Sequence, residues 1–206
     1  MDSTHQRTAH MYGYLTGIRR AVDELSLTEL EGVTSLLEET YLTGGTVFTC
    51  GNGGSAATAS HFAVDLAKNT RRHGAAPMRV YSLVDHVPAI TAWANDVGYE
   101  SVFSGQLAGL AQEGDVLVGI TTSGNSPNVL EALRLARELG VRTVGLLGPH
   151  ADKAVALCDR YAKARAGSIE EQEDIHMMIA HMLTRHMRDF VTARATEPAL
   201  AEGSVR

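Results

Sequence analysis

The feature that most constrains the fold is the alternation of strand-forming runs with helical stretches after residue 45. Short β-rich runs occur at 46–50, 78–83, 115–121, 142–147 and 159–164. Stretches with helical spacing lie between them, near 54–69, 87–111, 127–139 and 150–157. Such alternation predicts an α/β fold, a parallel sheet with right-handed crossovers and helices on both faces. The third and fourth runs are apolar nearly throughout, as expected of strands buried on both sides.

Helices are also predicted at both ends of this alternating region. A polar-faced helix is expected over 3–25, and a second begins at Ser26, which forms a capping-box pattern with Glu29. The glycines at 44–45 end the second helix. A long amphipathic helix is expected over about 169–194. The terminal helices carry more apolar surface than one sheet can cover, which indicates self-association.

The chain has 206 residues and neither an internal repeat nor a long linker, so one domain over 1–206 is predicted. Its ordered core is expected over about 8–192, and the tail 196–206 is expected to be loose. Hydrophobic residues make up 44% and charged residues 20% of the chain, proportions typical of a folded globular protein.

Composition also argues against several partners and compartments. The formal net charge is −6 and the only basic stretch is the short "NTRRHG", so no nucleic-acid partner is expected. No apolar run approaches the roughly 18 residues of a membrane helix, so no membrane segment is expected. Cys50 and Cys158 lack metal-binding spacing and are interpreted as free thiols in a reducing compartment. We therefore expect a cytoplasmic protein.

Two loops at strand ends have the composition of an anion site. Ligands of open α/β sheets bind beyond the carboxyl ends of the strands. After the first strand, "GNGGSA" leads straight into a helix; after the third comes "TTSGNSPN", where Ser126 can cap a helix that begins at Pro127. Helix N-termini offer free N–H groups to an anion. Hydroxyls with little positive charge suit a sugar phosphate that is bound reversibly.

Nucleotide sites are the main alternatives for these loops. No Lys-Ser or Lys-Thr follows the glycines, so the first loop is not a Walker P-loop. It satisfies the loose dinucleotide pattern G-x-G-x-x-A, but position 71, about 20 residues on, is Arg rather than acidic. A purely structural role for the glycines and caps is the other alternative. The hydroxyls of the second loop, which duplicate that of Ser55, argue against it.

Histidines and carboxylates on two predicted helices suggest chemistry beside the first loop. His61 and Asp65 are four residues apart, so they share the helix face directly behind the glycines. A surface pair without function is the alternative at this spacing. On the last helix, His181 follows Glu173 by eight residues, about 80° around the helix, so both can reach one pocket. His176 lies well off that direction and is expected to be packed or exposed.

Four stretches resemble the sugar isomerase (SIS) domain, and within it the phosphoheptose isomerases: "CGNGGSAATASHFAVDL", "AWANDVGYESVF", "TTSGNSPNVLEALRLARELGVRTVGLLG" and "EDIHMMIAH". The similarity runs from about residue 8 to residue 192. It implies a flavodoxin-like three-layer sandwich around a five-stranded parallel sheet. It also implies a homotetramer with active sites between subunits, acting on sedoheptulose 7-phosphate to give the D-glycero-D-manno-heptose 7-phosphate type of aldose.

The resemblance also assigns residues to the substrate by matching motif positions. The phosphate would be held by Ser55, Thr121, Ser123 and Ser126. Asn52 and Asp96 would face the sugar hydroxyls. Further residues of the two loops and one carboxylate complete the expected set: Gly53, Gly54, Thr122, Asn125 and Glu173.

In the family, His and Glu on the first helix and Gln and His on the last bind zinc. The matching positions here are His61, Asp65, Glu173 and His181. Asp65 therefore replaces Glu and Glu173 replaces Gln, while the adjacent Gln172 is out of register. All four side chains keep ligand-type atoms, so one Zn²⁺ per subunit is still expected, although the added oxygen also admits Mn²⁺ or Fe²⁺.

The implied reaction is aldose–ketose isomerisation through a cis-enediol. Asp65 is the expected base, or Glu173 if the shorter Asp65 cannot reach, and His181 is the expected acid. Two alternatives stay open: an isomerase of another phosphosugar, and a non-enzymatic SIS protein that binds a replication initiator or senses a sugar phosphate. Retention of His61 and His181 counts against the second, because such members typically lack the metal-site residues.

Overall fold

The computed structural model describes residues 3–196 of the chain. The elements follow one another as α1 (Ser3–Asp23), α2 (Leu27–Leu42), β1 (Thr46–Gly51), α3 (Gly54–Asn69), β2 (Arg79–Ser82), α4 (Val87–Asp96), a 3₁₀ turn (Tyr99–Ser101), α5 (Ser104–Ala108), β3 (Val116–Thr121), α6 (Pro127–Glu138), β4 (Arg142–Leu147), α7 (Asp152–Val155), β5 (Arg160–Lys163) and α8 (Ile169–Thr196). Of the predicted loose tail, residues 197–206 lie outside the described part, and Thr196 ends α8.

The five strands form one parallel sheet in the order β2-β1-β3-β4-β5. Val47 of β1 pairs with Val80 on one side and Val116 on the other. The chain therefore leaves β1 toward one edge of the sheet, and from β3 onward it moves toward the other. At this reversal the loops after β1 and β3 splay to opposite faces and leave a crevice, which is where ligands of such sheets bind. The predicted five-stranded α/β architecture is confirmed.

Side-chain alternation along the central strand separates two apolar layers. Val116, Val118 and Ile120 of β3 face the layer formed with α2, α3 and α8. Leu117 faces the other layer, in which α5 and α6 pack. Gly119 also lies under α6, where an added Cβ would come within 3.2 Å of the Val129 side chain. Helices therefore cover both faces of the sheet, as the uninterrupted apolar runs predict.

The helical stretch predicted over 87–111 is wrong as a single element. It divides into α4, the 3₁₀ turn and α5, because Gly98 adopts a φ of 146° that ends regular helix. The chain then folds back so closely that a Cβ on Gly105 would lie 2.5 Å from the ring of Trp93. The fold-back after Gly98 brings Tyr99 to the crevice between the loops after β1 and β3.

Helix capping differs from the sequence pattern at α2. The Ser26 hydroxyl accepts from the Glu29 N–H at 3.2 Å, but the Glu29 carboxylate binds the Lys163 N–H and Arg165 instead of completing the box. A full capping box occurs at α8, which the sequence interpretation missed. There Ser168 and Glu171 each accept the other's backbone N–H at 3.2 Å.

The structure bears on two expectations from composition, one about membrane helices and one about the cysteines. No helix within residues 3–196 is long and apolar enough to cross a membrane. Both cysteines are free thiols, and burial is the main cause that raises the pKa of Cys50 and of Cys158 to about 12.

Candidate active site at the reversal of the sheet

The glycine loop after β1 brings backbone close to the start of α3. Gly53 precedes the helix with φ 55° and ψ −123°, a conformation that side-chain-bearing residues rarely adopt. A Cβ on Gly51 would lie 2.7 Å from the Ser55 carbonyl, so that position requires glycine as well. The first turn of α3 then presents N–H groups that have no intrahelical partner. The Ser55 side chain, largely buried, lies within that turn.

The loop after β3 gathers three hydroxyl groups. The Thr121 Oγ1 lies 3.3 Å from the Ser126 Oγ and 3.5 Å from the Ser123 Oγ. The Gly124 N–H donates to Thr121 Oγ1 at 3.1 Å, and Gly124 itself has a φ of 65°. Asn125 closes the loop by donating from its backbone to the Ser123 Oγ at 3.2 Å. Three of the hydroxyls predicted to bind phosphate therefore lie together, and their role in binding it stays a prediction.

Ser126 occupies the N-cap position of α6, but its side chain makes no cap hydrogen bond, contrary to the sequence prediction. The Val129 N–H, which an N-cap side chain commonly binds, instead donates to Asn128 Oδ1 at 3.0 Å. The Ser126 hydroxyl is thereby left within the cluster around Thr121. It remains usable by a ligand.

A small cavity adjoins this cluster. It measures about 180 Å³ and is lined by Thr122, Ser123, Pro149, His150, Ile169 and Gln172. The backbone beside this cavity is closely packed, because a Cβ on Gly148 would lie 2.0 Å from the Thr122 carbonyl oxygen. Gln172, which the sequence alignment set aside, therefore lies beside the predicted phosphate loop rather than with the histidines.

The two residues expected at the sugar hydroxyls have different surroundings. Asn52 exchanges two hydrogen bonds with Asn128, each of 2.8 Å, and accepts a third from the Tyr99 hydroxyl at 3.1 Å. Asp96 ends α4 as an exposed residue that accepts from Asn95 Nδ2 at 2.7 Å. Within residues 3–196, no hydrogen bond or ion pair joins Asp96 to either loop.

His61, Asp65 and His181 form the candidate metal centre. The His61 Nε2 lies 3.4 Å from Asp65 Oδ2 and 3.4 Å from His181 Nε2, and the third edge, His181 Nε2 to Asp65 Oδ2, is 4.0 Å. A tetrahedral ion bound at about 2.0–2.1 Å separates its donors by about 3.3–3.4 Å. The three donors therefore fit one metal ion after a small adjustment, and this group could hold a metal.

Asn69 orients the carboxylate of this centre. Its Nδ2 donates to Asp65 Oδ1 at 2.9 Å, which leaves Oδ2 toward the histidines. Hydrogen bonds of this kind fix a ligand's direction. Asn69 lies four residues after Asp65 on α3, so the helical spacing could have revealed it.

Glu173, the fourth expected ligand, does not belong to this group. Its carboxylate lies against Gly54, where an added Cβ would come within 2.2 Å of Oε2. Because Glu173 meets Gly54 and His181 meets His61, α3 and α8 run parallel. The two contacts are separated by seven and eight residues, or about 10 and 12 Å of helix rise.

The remaining histidines of α8 lie outside the centre. His176 is fully buried, and burial lowers its pKa to about 4 despite a smaller opposing effect of the Leu147 backbone. Neither ring nitrogen makes a hydrogen bond of normal geometry with a described residue. His186 is partly exposed and contacts Glu38.

Comparison with known proteins agrees with this geometry. Residues 11–148 match the SIS domain family. The phosphoheptose isomerase of Chlorobaculum parvum is 37% identical over 178 residues, 82% of each chain, and that of Aliarcobacter butzleri is 40% identical over 156 residues, 75% of this chain and 81% of the relative. The structure of phosphoheptose isomerase GmhA from Neisseria gonorrhoeae superposes with a TM-score of 0.82 at 28% identity, over 91% of this chain and all of that one. The chain thus belongs to the phosphoheptose isomerase family of SIS-domain enzymes.

Proposed function

We propose that this protein interconverts sedoheptulose 7-phosphate and the corresponding aldose, a D-glycero-D-manno-heptose 7-phosphate. The observation that carries the proposal is the joint placement of two features. A cluster of hydroxyl groups lies at the reversal of the sheet, where α3 begins, and farther along α3 His61 and Asp65 meet His181 of α8. The first feature suits a phosphate, and the second suits proton transfer on a sugar carbonyl.

The phosphate is assigned to the hydroxyls of Ser55, Thr121, Ser123 and Ser126, with the free N–H groups in the first turn of α3. The hydroxyls of Ser123 and Ser126 lie within 3.5 Å of Thr121 Oγ1, so one anion can contact several at once. Hydrogen bonds to a charged group contribute about 1.5–3 kcal/mol each. The loops thus compensate for the absence of a lysine or arginine within their own sequences.

The metal is assigned to His61, Asp65 and His181, most simply as zinc. Catalytic zinc commonly has three protein ligands, including two-histidine, one-carboxylate sets, and keeps one position open. The same donor set is also used by ferrous iron. When bound, the ion supplies Lewis acidity that polarises the sugar carbonyl.

Proton transfer is assigned to residues on α3 and α8. The base must take a proton from the carbon beside the carbonyl, and a second group must move the proton between the oxygens. Asp65 accepts from Asn69 and faces His61 within the metal group. Glu173 lies beside the phosphate loop, about 10 Å of helix rise from that group, so we assign the base to Asp65, the acid to His181 and a substrate-binding role to Glu173.

Assembly into a homotetramer is also part of the proposal. α1 packs on α8 yet leaves Met11, Tyr12 and Leu15 exposed by 67, 64 and 48%. A contiguous apolar patch of this kind is typical of a subunit interface. The free thiols, of which Cys50 is buried and Cys158 partly buried, are consistent with a cytoplasmic enzyme.

The decisive experiment is incubation of the purified protein with sedoheptulose 7-phosphate in D₂O. We expect aldose formation, followed by ¹H NMR, with deuterium entering at the carbon beside the carbonyl. Ketose phosphates of five and six carbons serve as comparison substrates. Faster turnover of one of these would indicate another phosphosugar isomerase, and binding without turnover of any would indicate a non-enzymatic SIS protein.

A further inference from the structure

A reciprocal pair of amides joins the two loops of the site. Asn52 Nδ2 donates to Asn128 Oδ1, and Asn128 Nδ2 donates to Asn52 Oδ1, both at 2.8 Å. Asn52 follows β1 and Asn128 is the second residue of α6, so the pair bridges the reversal between β1 and β3. Asn128 is 1% exposed, whereas Asn52 is partly exposed. The amide pair is therefore buried at Asn128 and partly exposed at Asn52.

One backbone group fixes the orientation of the whole pair. The Val129 N–H donates at 3.0 Å to Asn128, and because an N–H can only donate, the atom it meets must be Oδ1. The other atom of Asn128 is then Nδ2, which requires Oδ1 of Asn52 opposite it. The Tyr99 hydroxyl occupies the second lone pair of that oxygen at 3.1 Å. Asn52 can therefore offer only an N–H to anything else.

We infer that Asn128 is a positioning residue that holds Asn52 as a hydrogen-bond donor to the phosphosugar. One N–H of Asn52 is used by Asn128, and the described residues provide no acceptor for the second. A ligand oxygen, from a hydroxyl or from phosphate, is the group that this N–H would bind. The inference rests on the proposed function for the identity of the ligand, but not for the orientation of the amide.

The test is a double-mutant cycle between the two amides. Asn128→Asp keeps the size and the acceptor for Val129 but removes the donor to Asn52, while Asn52→Ala removes the donor to the ligand. We expect each single variant to lower kcat/KM by about tenfold or more. If Asn128 acts through Asn52, the double variant is no slower than Asn52→Ala alone. Multiplying losses would overturn the inference, because they would show independent, merely structural effects.

A milder variant keeps the inference testable if Asn128→Asp does not fold. Tyr99→Phe removes one bond to Asn52 from an exposed side chain and should lower kcat/KM two- to fivefold, again only when Asn52 is present. Unchanged kinetics in both Tyr99→Phe and Asn128→Asp would refute the positioning role. Thermal unfolding of each variant separates lost stability from lost positioning.

Binding separates this inference from the reaction. The probe is the alditol phosphate obtained by reducing sedoheptulose 7-phosphate, which cannot isomerise, and its dissociation constant is measured by calorimetry for all variants. Tight binding with the same non-additivity, but without turnover of the ketose, would support the inference and refute the proposed reaction. Turnover by the unmodified protein, together with additive losses of binding free energy in the variants, would refute the inference and support the proposed reaction. Absence of any binding of the alditol phosphate would overturn both the inference and the proposed reaction.

Discussion

The Glu173 carboxylate lies directly against the bare Cα of Gly54, two helical turns from the place where His181 meets His61. Position 173 is where the sequence resemblance predicts a metal ligand, yet here its side chain packs at the start of α3. Glycine at position 54 makes this contact possible, because any Cβ would collide with the carboxylate.

Gly54→Ala should displace Glu173 and leave the fold intact. The clash is with the end of a flexible side chain, and alanine favours helix over glycine by about 0.5–1 kcal/mol. We expect kcat/KM to fall at least tenfold at unchanged or higher melting temperature. Glu173→Gln should lower kcat/KM similarly and add little to Gly54→Ala. Glu170→Gln, on the exposed side of α8, is the charge-matched control, and an equal loss there would contradict a local role.

Chelation should remove metal and isomerase activity together. We expect about one metal ion per chain by elemental analysis, most simply zinc, and re-addition should restore turnover. His181→Ala should abolish both metal binding and activity, whereas His186→Ala, five residues farther along α8 and bound to Glu38, should keep both. Asn69→Ala should weaken metal binding about 10- to 100-fold, because Asp65 loses its orienting donor. Full activity in metal-free protein would contradict the assignment.

Two serines at helix N-termini should respond differently to alanine. Ser26 makes a true cap bond, so Ser26→Ala should lower the free energy of unfolding by about 1 kcal/mol without changing KM. Ser126 makes no cap bond, so Ser126→Ala should leave stability nearly unchanged. Loss of a hydrogen bond to phosphate, worth about 1.5–3 kcal/mol, should raise its KM about 10- to 100-fold. Chemical unfolding and steady-state kinetics on both variants check this contrast.

Acid should destabilise the protein through His176. Burial lowers its pKa to about 4 from an ordinary 6.5, so between these values the unfolded chain binds the proton and the folded chain does not. Stability is therefore complete above about pH 6.5 and falls as the pH decreases toward 4, by at most about 3 kcal/mol. His176→Leu should flatten this dependence, measured by urea unfolding at one protein concentration. An equal slope in the variant would assign the acid sensitivity elsewhere.

Light scattering at micromolar concentration should give the mass of four chains. Leu15→Glu places a charge in the exposed apolar patch of α1 and should dissociate the assembly. Leu110→Glu, an exposed leucine beyond α5, is the control that should leave the mass unchanged. A monomeric parent protein would contradict both the tetramer and active sites between subunits.

Local patterns in the sequence determined the elements and part of the site. Periodicity predicted all five strands to within about one residue at each end. It could do so because the spacing of apolar residues is a property of neighbouring positions in the chain. The loop glycines and hydroxyls, and the pairing of His61 with Asp65, followed from spacing within a single element. The break at Gly98 was missed because a glycine within a helical pattern shows its φ only when the chain folds back.

Tertiary structure alone decided which distant residues meet. The order β2-β1-β3-β4-β5 sets the two loops beside one crevice, and no local signal encodes which strands become neighbours. Helical spacing predicted that Glu173 and His181 both reach one pocket, but an angle around the helix does not give the distance along its axis. Because α3 and α8 pack in parallel, His181 contacts His61 and Glu173 contacts Gly54 instead. The amide pair of Asn52 and Asn128 likewise exists only because packing closes a separation of 76 residues.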